Sequence, residues 1–422
     1  MKLRRSILVL AVSMLLLATD QAQARKLKDL LPTLFGPNGI TLERVENLPC
    51  CSLEGGHEPH FLVESQAELT TLNNALRGQL GNFPLPSPAS GFTYGFDPNL
   101  GTFTRSTESF GPIFADRAET VGRGQWSLGF SYSRFTYDKL DGKNLDNGEL
   151  QLTFLHEPVG RPQGPFPFEA DTITARISAD ITTDLFVLSG TYGVLDNLDV
   201  SLAIPIVRIS MDVTGVATSN NESNQTVGSP PQLAHRFRNG LTTRTASASD
   251  ESIGLGDIVL RAKYNFYRQK PIALAVDLAL RLPTGDEDEL RGIGTVRVRP
   301  SFIASAYVFG FTPHANLGFD LGDTDDIKNE FFYKVGFDWS VIKPVTFAFD
   351  LLGRHVILND QPKAGRAPGS GETAGDHVLD MALGLKVNPW RNALLLVNAL
   401  IALNNTGLRD TITPLIGLEV SF

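Results

Sequence analysis

Seven histidines are the side chains here best suited to acid–base or metal chemistry, and they are scattered: His57, His60, His156, His235, His314, His355 and His377. His355 and His377 flank a segment carrying Ser370 and Asp376, which would allow a hydrolase set near one hairpin tip. No nucleophile elbow, glycine-rich phosphate loop or HExxH motif supports it. Cys50 and Cys51, with His57 and His60, offer metal ligands. Adjacent cysteines cannot readily share one ion, however, and the separated pairs of a zinc site are missing. A vicinal disulfide or two plain thiols explains the pair as well. Asp286-Glu287-Asp288-Glu289 could hold calcium or cation-bridged lipopolysaccharide, but a solvated acidic loop explains the run more simply. No metal, cofactor or catalytic set is expected.

The remaining charges sit on alternating strands. In 271–283, Ile272, Leu274, Val276, Leu278 and Leu280 fall on one face, with Asp277 and Arg281 on the other. In 253–267, Leu260, Ala262 and Tyr264 oppose Arg261 and Lys263, and in 330–341 Val335, Phe337 and Trp339 oppose Lys334 and Asp338. Strict two-residue alternation over about ten residues is what one bilayer-crossing β-strand requires. A cation facing mid-bilayer lipid costs about 2–4 kcal/mol, so these charges must point into a lumen. Arg261, Asp277, Arg281, Arg297, Arg299 and Asp338 are the first candidates to line it, and Asp350 and Arg354 follow. Arg176, Asp180, Asp257, Asp380, Lys386 and Glu419 are assigned inward too. One strand changes parity: Val200, Leu202 and Ile204 are followed by Val207, Ile209, Met211 and Val213. A bulge near Pro205 would return Arg208, Ser210 and Asp212 to the lumen.

Strands are expected near 125–137, 173–193, 198–213, 253–267, 271–283, 294–309, 312–320, 330–341, 344–355, 376–388, 392–404 and 411–422. Connections alternate between long polar segments, such as 138–172, 214–252 and 356–375, and tight turns, such as Arg268-Gln269-Lys270 and Ile342-Lys343. An outer-membrane barrel sorts its loops in this way, short in the periplasm and long outside. The fold expected is therefore all-β: a closed, antiparallel, up-and-down transmembrane barrel of about twelve strands. Tyr264, Phe266, Phe309, Phe331, Tyr333, Trp339 and Trp390 would form its interfacial girdles.

Both ends of the chain agree with export to a bacterial outer membrane. Lys2, Arg4 and Arg5 precede an apolar run and Ala22-Gln23-Ala24, so residues 1–24 read as a cleaved signal peptide. The final strand alternates to Phe422, a terminus of the type that barrel-assembly machinery reads. The formal charge of −9 becomes −11 once the signal, with three cations and Asp20, is removed, which disfavours nucleic acid as a partner. With only two cysteines, no disulfide framework holds the fold.

Three stretches carry a family resemblance: Tyr192-Gly193-Val194-Leu195-Asp196-Asn197-Leu198-Asp199-Val200 running into Ile204-Pro205, Gly254-Leu255-Gly256-Asp257-Ile258, and Leu280-Arg281-Leu282-Pro283-Thr284-Gly285-Asp286. With the terminal phenylalanine, they resemble the phenol-degradation, MetA-pathway family of transporter-like outer-membrane barrels, itself broadly similar to FadL channels. The resemblance covers roughly residues 120–422. It implies an outer-membrane channel and leaves the solute open.

Residues 25–124 differ in texture from the expected barrel, 125–422. Ser65-Gln66-Ala67-Glu68 reads as a capping box opening a helix, with Leu69, Leu72, Leu76 and Leu80 on one stripe. This extension either plugs the lumen or hangs in the periplasm, and partial occlusion is the favoured reading because buried charges need partners. The function expected is passive passage of a small hydrophobic or aromatic compound, with outer-membrane lipid and lipopolysaccharide around the barrel. The alternatives are a sealed structural or adhesive barrel acting through its outer loops, an outer-membrane hydrolase, or a soluble periplasmic β-protein.

Overall fold

Alternation requires two environments, and a computed structural model of the chain supplies them. It describes residues 26–36, 39–43, 61, 69–70, 72–73, 76, 78–81, 83–88, 91–97, 102–105, 109–156, 167–224, 226–227, 232–233, 235–322, 328–357, 377–390 and 392–422. The signal segment, Cys50, Cys51, His57, His60, the capping box, Ser370 and Asp376 lie outside the described residues.

Fourteen strands form one sheet. They are β1 Trp126–Tyr137, β2 Leu150–Leu155, β3 Thr172–Leu195, β4 Leu198–Asn220, β5 Thr243–Leu255, β6 Ile258–Gln269 and β7 Ile272–Leu282. The second half comprises β8 Arg297–Ala306, β9 Phe311–Gly322, β10 Glu330–Ile342, β11 Val345–Val356, β12 His377–Trp390, β13 Ala393–Ala402 and β14 Ile412–Ser421. Twelve of them close a ring, because β14 pairs with β1 from Leu415↔Ser133 to Ser421↔Ser127 and leaves no edge. Closure matters because hydrocarbon offers nothing to an unpaired backbone N–H or C=O. Trp126 and Phe422 exchange backbone hydrogen bonds at 2.7 and 2.9 Å, so the last residue sits at the seam, at the end with the short turns. On β7, Ile272, Val276 and Leu278 are exposed to the outside, while Ala273, Ala275, Asp277, Ala279 and Arg281 are buried within.

The other two strands correct the expected loop map. Residues 214–252 are not one long loop, because β4 continues to Asn220 and β5 begins at Thr243. The hairpin β3–β4 rises well above the ring, and β2 and β5 add to its two sides there. Ser, Thr and Ala are frequent in this region, and its outer face lacks the apolar signature of a membrane strand.

That hairpin also removes the bulge expected at Pro205. β3 and β4 stay in unbroken register from Thr172↔Asn220 to Gly193↔Asp199, so no residue changes face. The environment changes instead. Facing out on β4, Val200, Leu202 and Ile206 give way to Arg208, Ser210 and Asp212, and on β3 the exposed Arg176 and Asp180 lie above Leu188. Facing in, Val207, Ile209, Met211 and Val213 are buried. Arg208, Ser210, Asp212, Arg176 and Asp180 are therefore not in the lumen, contrary to the expectation. The polarity inverts where the sheet leaves the bilayer, because its outer face then meets water and its inner face meets a protein cap. Arg134 and Arg208 flank Asp184 at that level, 3.4 and 3.7 Å away, and Arg208 also holds Glu251 at 2.7 Å.

The cap is the amino-terminal segment. A 3-10 turn, Leu27–Asp29, begins a run in which Leu27, Leu30, Leu31, Leu34 and Phe35 are all buried against the inner face of the hairpin. The stripe Leu69, Leu72, Leu76 and Leu80 is helical and buried in the same core. Each fully buried Leu or Phe contributes about 1.5–3 kcal/mol, which makes this a real core outside the membrane. Gly215 is required beneath it, since a Cβ there would come within 2.8 Å of both Leu34 and Phe35.

The inversion can be tested with two arginines on one face of one strand. Leu202→Arg places a cation in lipid and should cost about 2–4 kcal/mol, blocking refolding into detergent. Ser210→Arg, eight residues on, should change stability by no more than about 0.5 kcal/mol. Heat-modifiable migration on gels would register both.

Candidate functional site

A twelve-strand barrel encloses a lumen that side chains and one strand of chain can fill. Here a stretch of the extension does so: Ser109 to Gly122 is buried throughout and runs inside the ring to the short-turn end. An extended, non-sheet segment needs partners for its backbone groups, and the inward polar residues of the strands supply them. Asp350 on β11 accepts the backbone N–H groups of Ile113, Phe114 and Ala115 at 2.9, 2.7 and 3.1 Å. The Asn316 side-chain oxygen on β9 accepts the Asp116 N–H at 2.7 Å, while its amide nitrogen donates to the Asp116 carbonyl at 2.8 Å. Ser305 on β8 accepts the Ala118 N–H at 2.8 Å. Lys263 donates to the carbonyls of Arg117 and Glu119, and Lys386 to those of Phe110 and Pro112.

Charge is matched in the same way. Arg117 of the buried segment pairs with Asp338, donating through Nε at 3.1 Å. Arg261 lies between Asp116, at 2.8 Å, and Asp277, at 2.5 Å. His314 bridges Asp350 and Asp338 at 2.8 and 3.5 Å. Removing either member of a pair buried to this depth strands a charge, at a cost of about 3–5 kcal/mol.

The structure therefore divides the eight lumen candidates. Arg261, Asp277, Asp338 and Asp350 are tied, directly or through a partner, to the segment that fills the lower lumen. Arg297 is almost wholly buried and bonded to Asp320 at 2.6 Å. Arg281, Arg299 and Arg354 line open space higher up. Arg281 and Arg299 border a cavity of about 90 Å³ with Leu85, Phe332 and Lys334. Arg299 and Arg354 border an adjoining cavity of about 70 Å³ with Phe83, Phe114, Phe332, Lys334 and Leu352. Lys334 and Phe332 belong to this site although neither was singled out for it. Both were legible from the two-residue period, which puts Phe332 and Lys334 on the inward face with Asp338, but an inward aromatic ring in a run of Phe331, Phe332 and Tyr333 carries no signal of its own.

Beside the cavity the barrel wall is thin. The β8–β9 ladder runs Arg297↔Gly322 and Val298↔Leu321, then resumes at Ser301↔Gly318, skipping two positions. Pro300 sits in the break, where its missing N–H could not have served a ladder. A Cβ on Gly318 would lie 2.5 Å from the Pro300 carbonyl oxygen and 2.6 Å from the Phe332 ring, so Phe332 covers the break from within. A groove on the lipid face, lined by Leu278, Phe302, Leu317 and Phe319, reaches Asp277 and Ser301, which also border the inner cavity.

Three other sites are resolved. His355 and His377 do approach, with ring centroids 6.2 Å apart, and the second ring is hydrogen-bonded to Tyr333 Oη at 3.0 Å. The acidic loop is partly neutralised from within the chain, since Lys26 and Lys28 bind Asp288 and Arg291 lies 3.5 Å from Asp286. His235 donates through Nδ1 to the Asp171 carboxylate at 2.7 Å under the cap, where Phe61 meets both His235 and His156 edge-on. Among the described residues no group of three metal-ligating side chains occurs.

Residues 160–406 match the family described as "Putative MetA-pathway of phenol degradation", more than half the chain. The chain belongs to this family. Among solved structures, the COG4313 outer-membrane channel of Pseudomonas putida F1 is similar at 11% identity and a TM-score of 0.44, over 73% of this chain and 99% of that one. The toluene transporter TbuX of Ralstonia pickettii is similar at 12% identity and 0.35, over 71% and 90%. A FadL homologue of Pseudomonas aeruginosa is similar at 10% and 0.30, over 71% and 89%. None of these likenesses carries a residue or a solute across to this family member. No curated protein matches the chain in sequence.

Asp350→Ala should free the segment it holds, with hydrogen exchange across residues 109–121 accelerated and a lower unfolding midpoint, while the barrel still forms. At the cap, hydrogen bonds from Lys26 and Lys28 hold the Asp288 carboxyl below its ordinary range. A depressed carboxylate stabilises above its unfolded pKa, so this tie persists at neutral pH and is lost only as strong acid protonates Asp288. Asp288→Asn at pH 7 should raise exchange at residues 26–36 by no more than about fivefold, as expected of an exposed pair.

Proposed function

We propose that the protein is an outer-membrane channel for a small hydrophobic or aromatic solute, and that the extension, residues 25–124, acts as its cap and plug. The observation that carries this reading is the placement of a partly apolar cavity between a filled lower lumen and a thinned wall. Solute would arrive from outside beneath the cap and rest against Phe332. It would then leave sideways past Pro300 and Gly318, since the segment 109–121 bars the straight path. Selectivity would come from cavity width and lining charge, with no reaction catalysed. Recognition of the Phe422 terminus by the assembly machinery and contact with lipopolysaccharide belong to the same proposal.

One observation favours a second reading, a sealed structural barrel: the lower plug is hydrogen-bonded along nearly its whole length. A locked plug separates the two. Ala118→Cys with Ser305→Cys, made with Cys50 and Cys51 replaced by serine, fastens the segment to the wall. In cells lacking general porins, uptake of labelled benzyl alcohol should persist in this variant and increase several-fold with Phe332→Ala. Loss of uptake on locking would make the route axial. No uptake above an empty-vector control, with the barrel assembled, would leave the sealed reading.

A further inference from the structure

The upper cavity has a charge pattern that passage of a neutral hydrocarbon does not call for. Four cations border it on the strand side, Arg261, Arg281, Arg299 and Lys334, and their carboxylates are largely committed. Asp116 and Asp277 both serve Arg261, as described above. Asp320 is shared by Arg297 and by Arg299, which stands 3.3 Å from it. Asp380 in the adjoining space is taken by Arg409. Lys334 has no ion pair among the described residues, and its ammonium donates to the Phe114 carbonyl at 2.7 Å. An ammonium that faces a narrow cavity with a neutral carbonyl as its hydrogen-bond partner attracts an anion, because a partly enclosed site screens charge less than bulk water does.

The same cations frame an aromatic face. The Arg299 guanidinium lies 4.9 Å from the centroid of the Phe332 ring, and the Lys334 ammonium 6.0 Å from it. Phe83, Leu85 and Leu352 complete the apolar walls of the two adjoining cavities. An apolar cavity of about 150 Å³ holds one benzene ring. The two spaces together are of that order.

We infer that this site binds a small aromatic carboxylate, with its ring against Phe332, Leu85 and Leu352 and its carboxylate directed to Lys334, Arg299 and Arg281. The carboxylate supplies the anion that the lining lacks, and the ring displaces water from the apolar walls. Inorganic phosphate meets only the first requirement and a neutral aromatic only the second. The inference rests on the channel reading and narrows its solute class.

Calorimetry on the full mature chain in detergent tests it with three probes: benzoate, benzyl alcohol and inorganic phosphate. Benzoate should bind at least tenfold more tightly than either of the others. Lys334→Met should weaken benzoate about tenfold and benzyl alcohol by a much smaller factor, and Arg299→Gln should act in the same direction should the lysine variant fail to fold. Equal affinity for benzoate and benzyl alcohol, equal affinity for benzoate and phosphate, or no benzoate binding would each overturn the inference. The porin-deficient uptake measurement keeps the two readings apart. Benzyl alcohol entry without benzoate binding removes the carboxylate and leaves the channel. Benzoate binding without entry of either solute removes the channel and makes the cavity a binding site alone.

Discussion

Charge cannot face hydrocarbon, and the interior of this barrel follows from that exclusion. Once a strand alternates, its charged residues are committed to a lumen too narrow to hydrate them as bulk water would. Buried charge is tolerated only when it is paired or hydrogen-bonded. The chain meets that demand with its own amino-terminal extension, whose backbone amides meet Asp350 and whose Arg117 meets Asp338. Plug and wall are consequently one hydrogen-bonded structure. The polar lumen residues of the lower half hold this segment in place.

The same exclusion sets the height of the membrane. On the β3–β4 hairpin the register holds from Thr172↔Asn220 to Gly193↔Asp199, yet apolar residues face out below Ile206 and in above it. A single two-residue period thus serves two solvents in succession. The cap of Leu27, Leu31, Leu34 and Phe35 is what makes the upper half possible, because without it the inward apolar face of β4 would stand in water. Cap, hairpin and the loop carrying Asp288 therefore form a small water-soluble core seated on a membrane-embedded ring.

This order is relaxed at one level of the wall. Pro300 breaks a ladder that is otherwise continuous, Gly318 allows the strands to come close there, and Phe332 lies over the break. A proline in the interior of a strand ordinarily weakens a sheet. In this barrel it lies beside the cavity lined by Arg299, Lys334 and Phe332. The conjunction of a thinned wall, an aromatic cover and surplus positive charge at one level gives the site its distinctive chemistry.

Much of the fold was legible in the residues. Alternation in 271–283 and 376–388 identified strands and their faces, because lipid on one side and lumen on the other leave a period of two. Loop-length parity gave the orientation, and the leucine stripe 69–80 gave a buried helical face. Residues 214–252 were misread as loop because Ser and Thr dominate a sheet with water on its outer face, and the Pro205 parity change was misread as a bulge because sequence records polarity and not solvent. What the sequence determined was local: which residues share a face, where strands turn, and that the inward charges need partners. Which partners they find was decided only by the tertiary structure. The pairing of Asp350 with residues 113–115, or of Phe332 with a gap at Pro300, depends on long-range contacts that no local period encodes.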